Sequence, residues 1–148
     1  VGHLCTSLGM GTSILKGEQP TWPDAQRPAD LVQGDPAAHY RAAADGCRQA
    51  LVGADLDSTR ETPMGTRTVA EGLAFPALDL FIHGWDLAQS TGQDVAIPDH
   101  VIEFGHTYLD PIPQDKMRGP GGAFGPEVAA PEGASSSDAL NAAQSGTA

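Results

Sequence analysis

The stretch Asp79-Leu80-Phe81-Ile82-His83-Gly84-Trp85-Asp86-Leu87-Ala88 decides how the chain is read. Its apolar residues fall on nearly every side of a helix and surround Asp79, His83 and Asp86, a pattern that predicts a buried helix. Carboxylates inside such a helix need partners, because an isolated buried charge costs on the order of several kcal/mol or shifts its pKa until it neutralises. At about 100° per residue, Asp79 and His83 lie about 40° apart and one turn apart along the axis, so both side chains reach one point beside the helix. This is the spacing of two ligands of one metal ion. Asp86 shares the stripe but lies about 10 Å from Asp79 in axial rise, too far to share a single ion on a straight helix. It is expected behind the ligands together with Trp85, orienting His83 or a neighbouring helix.

On the N-terminal side of this stretch, Thr68 and Glu71 form a capping-box pattern, and the helix they open is expected to continue to residue 91 before Gly92 ends it. Pro76 inside the helix removes the hydrogen bond to residue 72 at a cost of about 3 kcal/mol, which predicts a kink there. Gly72 at the crowded position eases it, and the alternative is a regular helix that begins only around Pro76. Residues 55–67 are polar, contain Pro63-Met64-Gly65, and read as a connection with room for a short extended piece. Asp35-Pro36 starts a further helix, since Asp caps open N–H groups and Pro suits the first helical position. Ala37, Tyr40, Ala44, Cys47 and Leu51 mark its expected buried face.

Residues 17–34, with Pro20, Pro23 and Pro28, read as a loop. The first helix occupies residues 1–16 and stops near Gly17, with Val1, Leu4, Cys5 and Leu8 on one stripe. A chain that opens in helical periodicity without an initiator Met reads as cut at the front.

On the C-terminal side, Pro98-Asp99 starts a last helix that runs to about Leu109, and Asp110-Pro111-Ile112-Pro113 closes it. The glycine-rich residues 119–125 have neither the lysine nor the following apolar helix of a phosphate loop. From Pro131 onward Ala, Ser, Gly and Asn dominate, and such a tail buries too little to stay ordered. The expected organisation is one helical domain over residues 1–130 and a disordered tail over residues 131–148.

A third ligand must come from another element. His3 is the best candidate, because it sits early in a helix that can pack antiparallel against the central one, the arrangement by which facing helices build metal sites. His100 and His106 are turned about 120° from each other on their helix, and His39 sits near the solvent-type Arg41.

The 148 residues carry nineteen Asp and Glu against eight Lys and Arg, a formal charge of −11, which argues against nucleic acid and anionic membrane surfaces as partners. Apolar runs such as Leu80-Phe81-Ile82 are far short of the roughly 18 residues of a membrane span, and no signal peptide is evident, so the cytoplasm is the expected location. Cys5 and Cys47 form no C-x-x-C pair, and both are expected to be buried, inert thiols.

The opening Val1-Gly2-His3-Leu4, the block from Asp79 to Ala88, Thr91-Gly92-Gln93-Asp94 and the late Phe124-Gly125-Pro126 together resemble the mycothiol-dependent maleylpyruvate isomerase-like metal-binding domain. That domain belongs to the DinB/YfiT-like superfamily of actinobacterial and related proteins. The resemblance spans about residues 1–132, and His83-Gly84-Trp85-Asp86 is its most specific part. It implies an all-α fold, a four-helix bundle from which the chain lacks the first helix, and a metal triad of His3, Asp79 and His83.

The expectation for function is therefore a metal-dependent enzyme of the isomerase or S-transferase type, whose ion, zinc by ligand type and family, keeps a position open for water or a thiolate. Mycothiol as cosubstrate is what the resemblance implies. His3 and His83 are expected as neutral ligands, Asp79 as a charged one, and Asp86 as the group fixing the His83 tautomer; no separate general base is evident. Expected partners are a small-molecule thiol and an electrophilic substrate, with a homodimer left open. The rivals are a hydrolase using metal-activated water, a non-catalytic metal-binding or regulatory module, and a hydrogen-bonded cluster that holds no metal.

Overall fold

The computed structural model describes residues 1–21, 27–62, 65–113, 118, 128–130 and 132–144. These residues are mostly helical, with one small sheet: α1 (Gly2–Lys16), a 3-10 turn (Pro28–Leu31), α2 (Pro36–Leu51), β1 (Thr59–Thr62), β2 (Gly65–Thr68), α3 (Val69–Ser90), α4 (Asp99–Leu109) and α5 (Ser136–Gln144). The glycine-rich residues 119–125 and the Phe124-Gly125-Pro126 motif lie outside the described residues. The chain divides into two compact units, Val1–Gly84 and Trp85–Ala148, with the boundary inside α3.

In the first unit, α1 buries Leu4, Ser7, Leu8, Gly11 and Leu15. Its expected stripe is only partly inside, since Val1 is exposed and Cys5 half-buried. The helix stops at Gly17, which adopts the left-handed conformation (φ 75°, ψ 21°) that a side chain disfavours, while Glu18 N–H returns to Ser13 O at 2.9 Å. The Arg60 guanidinium from β1 sits over Gly17: a Cβ there would fall 2.6 Å from its Nη1. A cation at this end of a helix faces the last, unpaired carbonyls.

Helices α1 and α3 run antiparallel, as their cross-contacts require. Ser7 of α1 bonds Asp79 of α3, Gly11 faces Leu73, and Ile14 faces Gly72, so the chain ascends one helix as it descends the other. A Cβ on Gly72 would stand 3.3 Å from Ile14 Cγ2, a tight fit, whereas one on Gly11 would make ordinary contacts, 3.6 Å from Cys47 Sγ and 3.7 Å from Leu73 Cδ2.

α2 packs on α1 and is capped by Asp35, whose carboxylate accepts from the N–H groups of Ala37 and Ala38. Its expected core face is corrected: no residue of α2 is buried, and Tyr40 (37%) and Leu51 (48%) are exposed. Ala43, Ala44 and Cys47 are half-buried, and Cys47 faces Gly11 of α1; a helix this rich in alanine presents little apolar bulk to a neighbour.

Residues 59–62 and 65–68, expected as part of a connection, pair as an antiparallel hairpin in the register Thr59↔Thr68, Arg60↔Arg67, Glu61↔Thr66 and Thr62↔Gly65. The β-branched threonines favour extension, and Thr66 Oγ1 donates to Glu61 Oε1 at 2.6 Å across the ladder. β2 leads directly into α3. Thr68 and Glu71 form the expected reciprocal cap, Thr68 N–H donating to Glu71 Oε2 at 2.7 Å and Glu71 N–H to Thr68 Oγ1 at 3.1 Å. Val69 and Ala70 N–H donate to Ser58 O and Leu56 O, so the first open donors of α3 are all met.

α3 runs from Val69 to Ser90 as one helix with Pro76 inside it, buried. The helix thus begins at the capping box and not at Pro76. It is not buried all round: Val69, Ala74, Leu78 and Ile82 are inside, whereas Phe75, Phe81 (44%) and Leu87 (40%) are exposed. Apolar residues on every side of a helix do not show which sides have neighbours.

In the second unit, Gly92 (φ 70°) terminates α3 and Gln93 N–H returns to Ala88 O. α4 begins at the expected place and buries Val101, Ile102, Gly105 and Leu109. Within the segment expected as an unordered tail, residues 136–144 form α5, which packs against α4. Leu140 is 1% exposed, and buried Ser137 accepts the Ile97 N–H at 3.0 Å. Ser135 and Asp138 cap α5 reciprocally: Asp138 Oδ2 accepts from Ser135 N–H and O–H, and Ser135 Oγ accepts from Asp138 N–H. Among the described residues no helix is long and apolar enough to cross a membrane.

Candidate metal centre

The antiparallel register of α1 and α3 brings His3, one residue into α1, against the turn of α3 that carries Asp79 and His83. His3 Nε2 lies 3.2 Å from Asp79 Oδ1 and 3.1 Å from Oδ2, and His83 Nε2 lies 3.4 Å from Asp79 Oδ1. The two imidazoles meet edge to face, with ring centroids 4.7 Å apart at 87°. One ligand atom from each of the three residues lies within 4.8 Å of the others. All three belong to the first unit.

The carboxylate is the deep member of the group. Asp79's side chain is 10% exposed, against 44% for His3 and 40% for His83, so the histidines form the mouth of the site and the charge its floor. Burial pushes the Asp79 carboxyl up, but hydrogen bonds from His3, His83 and Ser7 outweigh it and hold the group far below the ordinary carboxylate range. A carboxylate kept ionised accepts only, so each imidazole that bonds it presents Nε2–H in the metal-free protein.

The donor set fits a divalent ion. Ligand bonds of about 2.0–2.2 Å around a tetrahedral ion place neighbouring ligand atoms about 3.3–3.6 Å apart, close to the separations already present between Asp79 and the two histidines. Occupation requires each ligating Nε2 to give up its proton and the hydrogen to move to Nδ1 or to solvent. The ionised carboxylate needs no such change.

Ser7, which the sequence reading did not single out, is part of the group. It is buried at 4% exposure, one turn after His3, and its hydroxyl donates to Asp79 Oδ2. Its signal in the sequence is a hydroxyl four residues from a candidate ligand on the apolar stripe of the same helix, which gains its meaning only from the carboxylate across from it. Trp85 is half-buried and Asp86 exposed, both beyond the boundary in the second unit. The other histidines are not drawn into the centre: His39 is half-buried on α2, His100 is exposed, and His106 Nδ1 lies 3.4 Å from exposed Asp110. Cys5 is half-buried, and burial raises its thiol pKa, which disfavours the reactive thiolate.

No family model, curated protein or solved structure matches the chain.

Proposed function

We propose that the chain is a divalent-metal-dependent enzyme of the thiol-dependent isomerase or transferase type, its ion held by His3, Asp79 and His83. The observation that carries this reading is the convergence of three ligand atoms within 4.8 Å, two imidazole nitrogens over one carboxylate held ionised. Three ligands leave a fourth position for a small molecule, and the exposure of both imidazoles puts that position on the solvent side. A zinc-like ion there supplies Lewis acidity, favouring the ionised form of a bound thiol or water at neutral pH. His3 and His83 act as orienting ligands at the mouth, and Asp79 supplies the compensating charge. The fold is assigned to the DinB/YfiT-like bundles, mycothiol to the thiol and the cytoplasm to the location, on the resemblance of His83-Gly84-Trp85-Asp86 and its companion motifs and on the chain's charge and hydropathy.

A second reading has its own support. The distances of 3.1–3.4 Å between Asp79 and the two histidines also suit hydrogen bonds or ion pairs, which makes the group a polar cluster that ties α1 to α3 without metal. Elemental mass spectrometry on protein purified without chelator separates the two. About one ion per chain, absent in His83→Ala, supports the metal site and directs a screen of thiol-dependent reactions on electrophilic small molecules. No ion in the wild-type protein, even after incubation with zinc, leaves the polar cluster. Turnover of an ester or amide without response to added thiol turns the proposal toward hydrolysis.

A further inference from the structure

The hairpin sets two like charges directly across from each other. Arg60 of β1 is the partner of Arg67 of β2, so both side chains leave the same face of the ribbon, and like charges in that position destabilise a strand pair. Arg60 reaches over the end of α1, its Nη1 2.6 Å from the place of a Gly17 Cβ, and Lys16 precedes Gly17 in the last turn. Arg27, Arg41 and Arg48 pair with Asp30, Asp35 and Asp45. Lys16, Arg60 and Arg67 pair with no carboxylate among the described residues, in a chain with nineteen Asp and Glu against eight Lys and Arg. Glu61, beside Arg60, leaves the opposite face of the ribbon, where it accepts from Thr66 Oγ1.

We infer that Arg60 and Arg67, with Lys16 at the adjoining helix end, form a binding site for a phosphate group, free or carried by a small molecule. The end of α1 contributes about half a negative charge, so most of the positive charge of these groups is left for a ligand. A carboxylate brings one charge and two oxygens and fills one guanidinium fork. A phosphate group at neutral pH brings about −1.5 to −2 and three oxygens or more, and serves two forks at once. The net charge of −11 opposes anions from afar, but at physiological ionic strength charges are screened beyond about 8 Å, so the near cations decide for a small ligand. A nucleic acid or membrane would lay further phosphates against the acidic remainder. Lys16 stands thirteen residues beyond His3 on α1, about 20 Å in rise, so this site is separate from the candidate metal centre and independent of the metal reading.

The test titrates inorganic phosphate and glycerol phosphate at fixed ionic strength, with chloride as the control, into wild type, Arg67→Gln and Arg41→Gln, all freed of metal by chelation and desalting. Calorimetry reads affinity and scanning fluorimetry reads the melting temperature. Arg67→Gln is expected to weaken phosphate binding about tenfold or more, the loss of a charge-assisted contact, and Arg41→Gln, whose arginine faces Asp35, to stay within about twofold of wild type. In phosphate-free buffer Arg67→Gln is expected to melt at or above the wild-type temperature, because it removes one of two facing like charges, and to lose that lead as phosphate is added. Tighter binding of glycerol phosphate supports a phosphorylated small molecule as the ligand, and tighter binding of inorganic phosphate supports the free ion. Equal affinity in all three proteins, or a wild type that responds to phosphate no more than to chloride, overturns the inference. An Arg67→Gln protein that melts below wild type without phosphate also overturns it, since the facing charges then have their compensation within the chain.

Discussion

Ile14 of α1 lies against Gly72 of α3, and a Cβ added at Gly72 would stand 3.3 Å from Ile14 Cγ2. That contact sits two turns up α3 from Asp79 and helps set the spacing of the two helices that share the candidate centre. Alanine in a helix interior is worth about 1 kcal/mol over glycine, so Gly72→Ala should stabilise unless its methyl is too close to its neighbour. Ile14 is branched at Cβ and stiff, and cannot swing its Cγ2 aside. Gly72→Ala is therefore expected to yield little or no gain in wild type and to recover about 1 kcal/mol in an Ile14→Leu background, which lacks that branch. Denaturant unfolding of the four proteins checks it; the same change in both backgrounds rules out the Ile14 contact as the cause.

Metal binding should raise thermal stability, because an ion that binds only the folded chain stabilises by mass action, about 2.7 kcal/mol at 100 times its Kd. Zinc is expected to raise the melting temperature of the chelated protein and of His100→Ala, and to leave His3→Ala unchanged. Differential scanning fluorimetry with and without chelator reads this, and an equal response of His3→Ala and His100→Ala removes His3 from the ligand set.

The Asp79 carboxyl has a folded-state pKa below its unfolded value, so the stability it contributes is fully present above the unfolded pKa of about 3.9 and is lost as pH falls toward the folded one. In the metal-free protein, Asp79→Asn is expected to cost about 2 kcal/mol at neutral pH through lost charge-assisted bonds. The gap to wild type should then narrow progressively below about pH 4. Urea unfolding at a series of pH values tests the sign, and a gap that widens on acidification contradicts it.

Leu140 anchors α5. At 1% exposure it should cost about 2–5 kcal/mol when truncated to alanine, as buried leucines do. Asp138→Ala removes the reciprocal bonds with Ser135, and amide hydrogen exchange in the first turn of α5 should speed up at neutral pH. The Asp138 carboxyl is held below its ordinary range by those Ser135 bonds, so the same loss of protection is expected in the wild type as pH falls below the unfolded value. Unchanged exchange in Asp138→Ala shows that packing alone holds the helix start.

Much of the helical framework is legible in the residues that start and stop each helix. Gly17, the Thr68–Glu71 box, Gly92 and Pro98-Asp99 act through local backbone chemistry, and the structure has helix ends at or within a residue or two of each. The meeting of Asp79 with His83 is legible from one turn of helical spacing, and that of His3 from its place early in an antiparallel neighbour. What fails is what depends on neighbours. Phe81 and Leu87 are apolar yet exposed, and Tyr40 and Leu51 lie on the expected inner stripe of α2 yet stay outside. The α5 segment is poor in apolar residues, so composition alone does not mark it as a helix, and the Ser135–Asp138 cap that starts it is seen only in the structure. Ser7 passes for packing because a hydroxyl in an apolar stripe acquires its meaning only from the carboxylate across from it.

α2 has no buried residue, and the Cys47 that faces Gly11 of α1 is half-buried. A helix that packs along α1 without burying a residue is expected to open at less than the cost of unfolding the whole unit. Of the helices of the first unit, a protease added in trace amounts should therefore cut α2 before α1. His3, Ser7, Asp79 and His83 all lie on the two helices left in place, so a chain clipped in α2 is expected to keep them together, and wear on this protein begins away from its candidate centre.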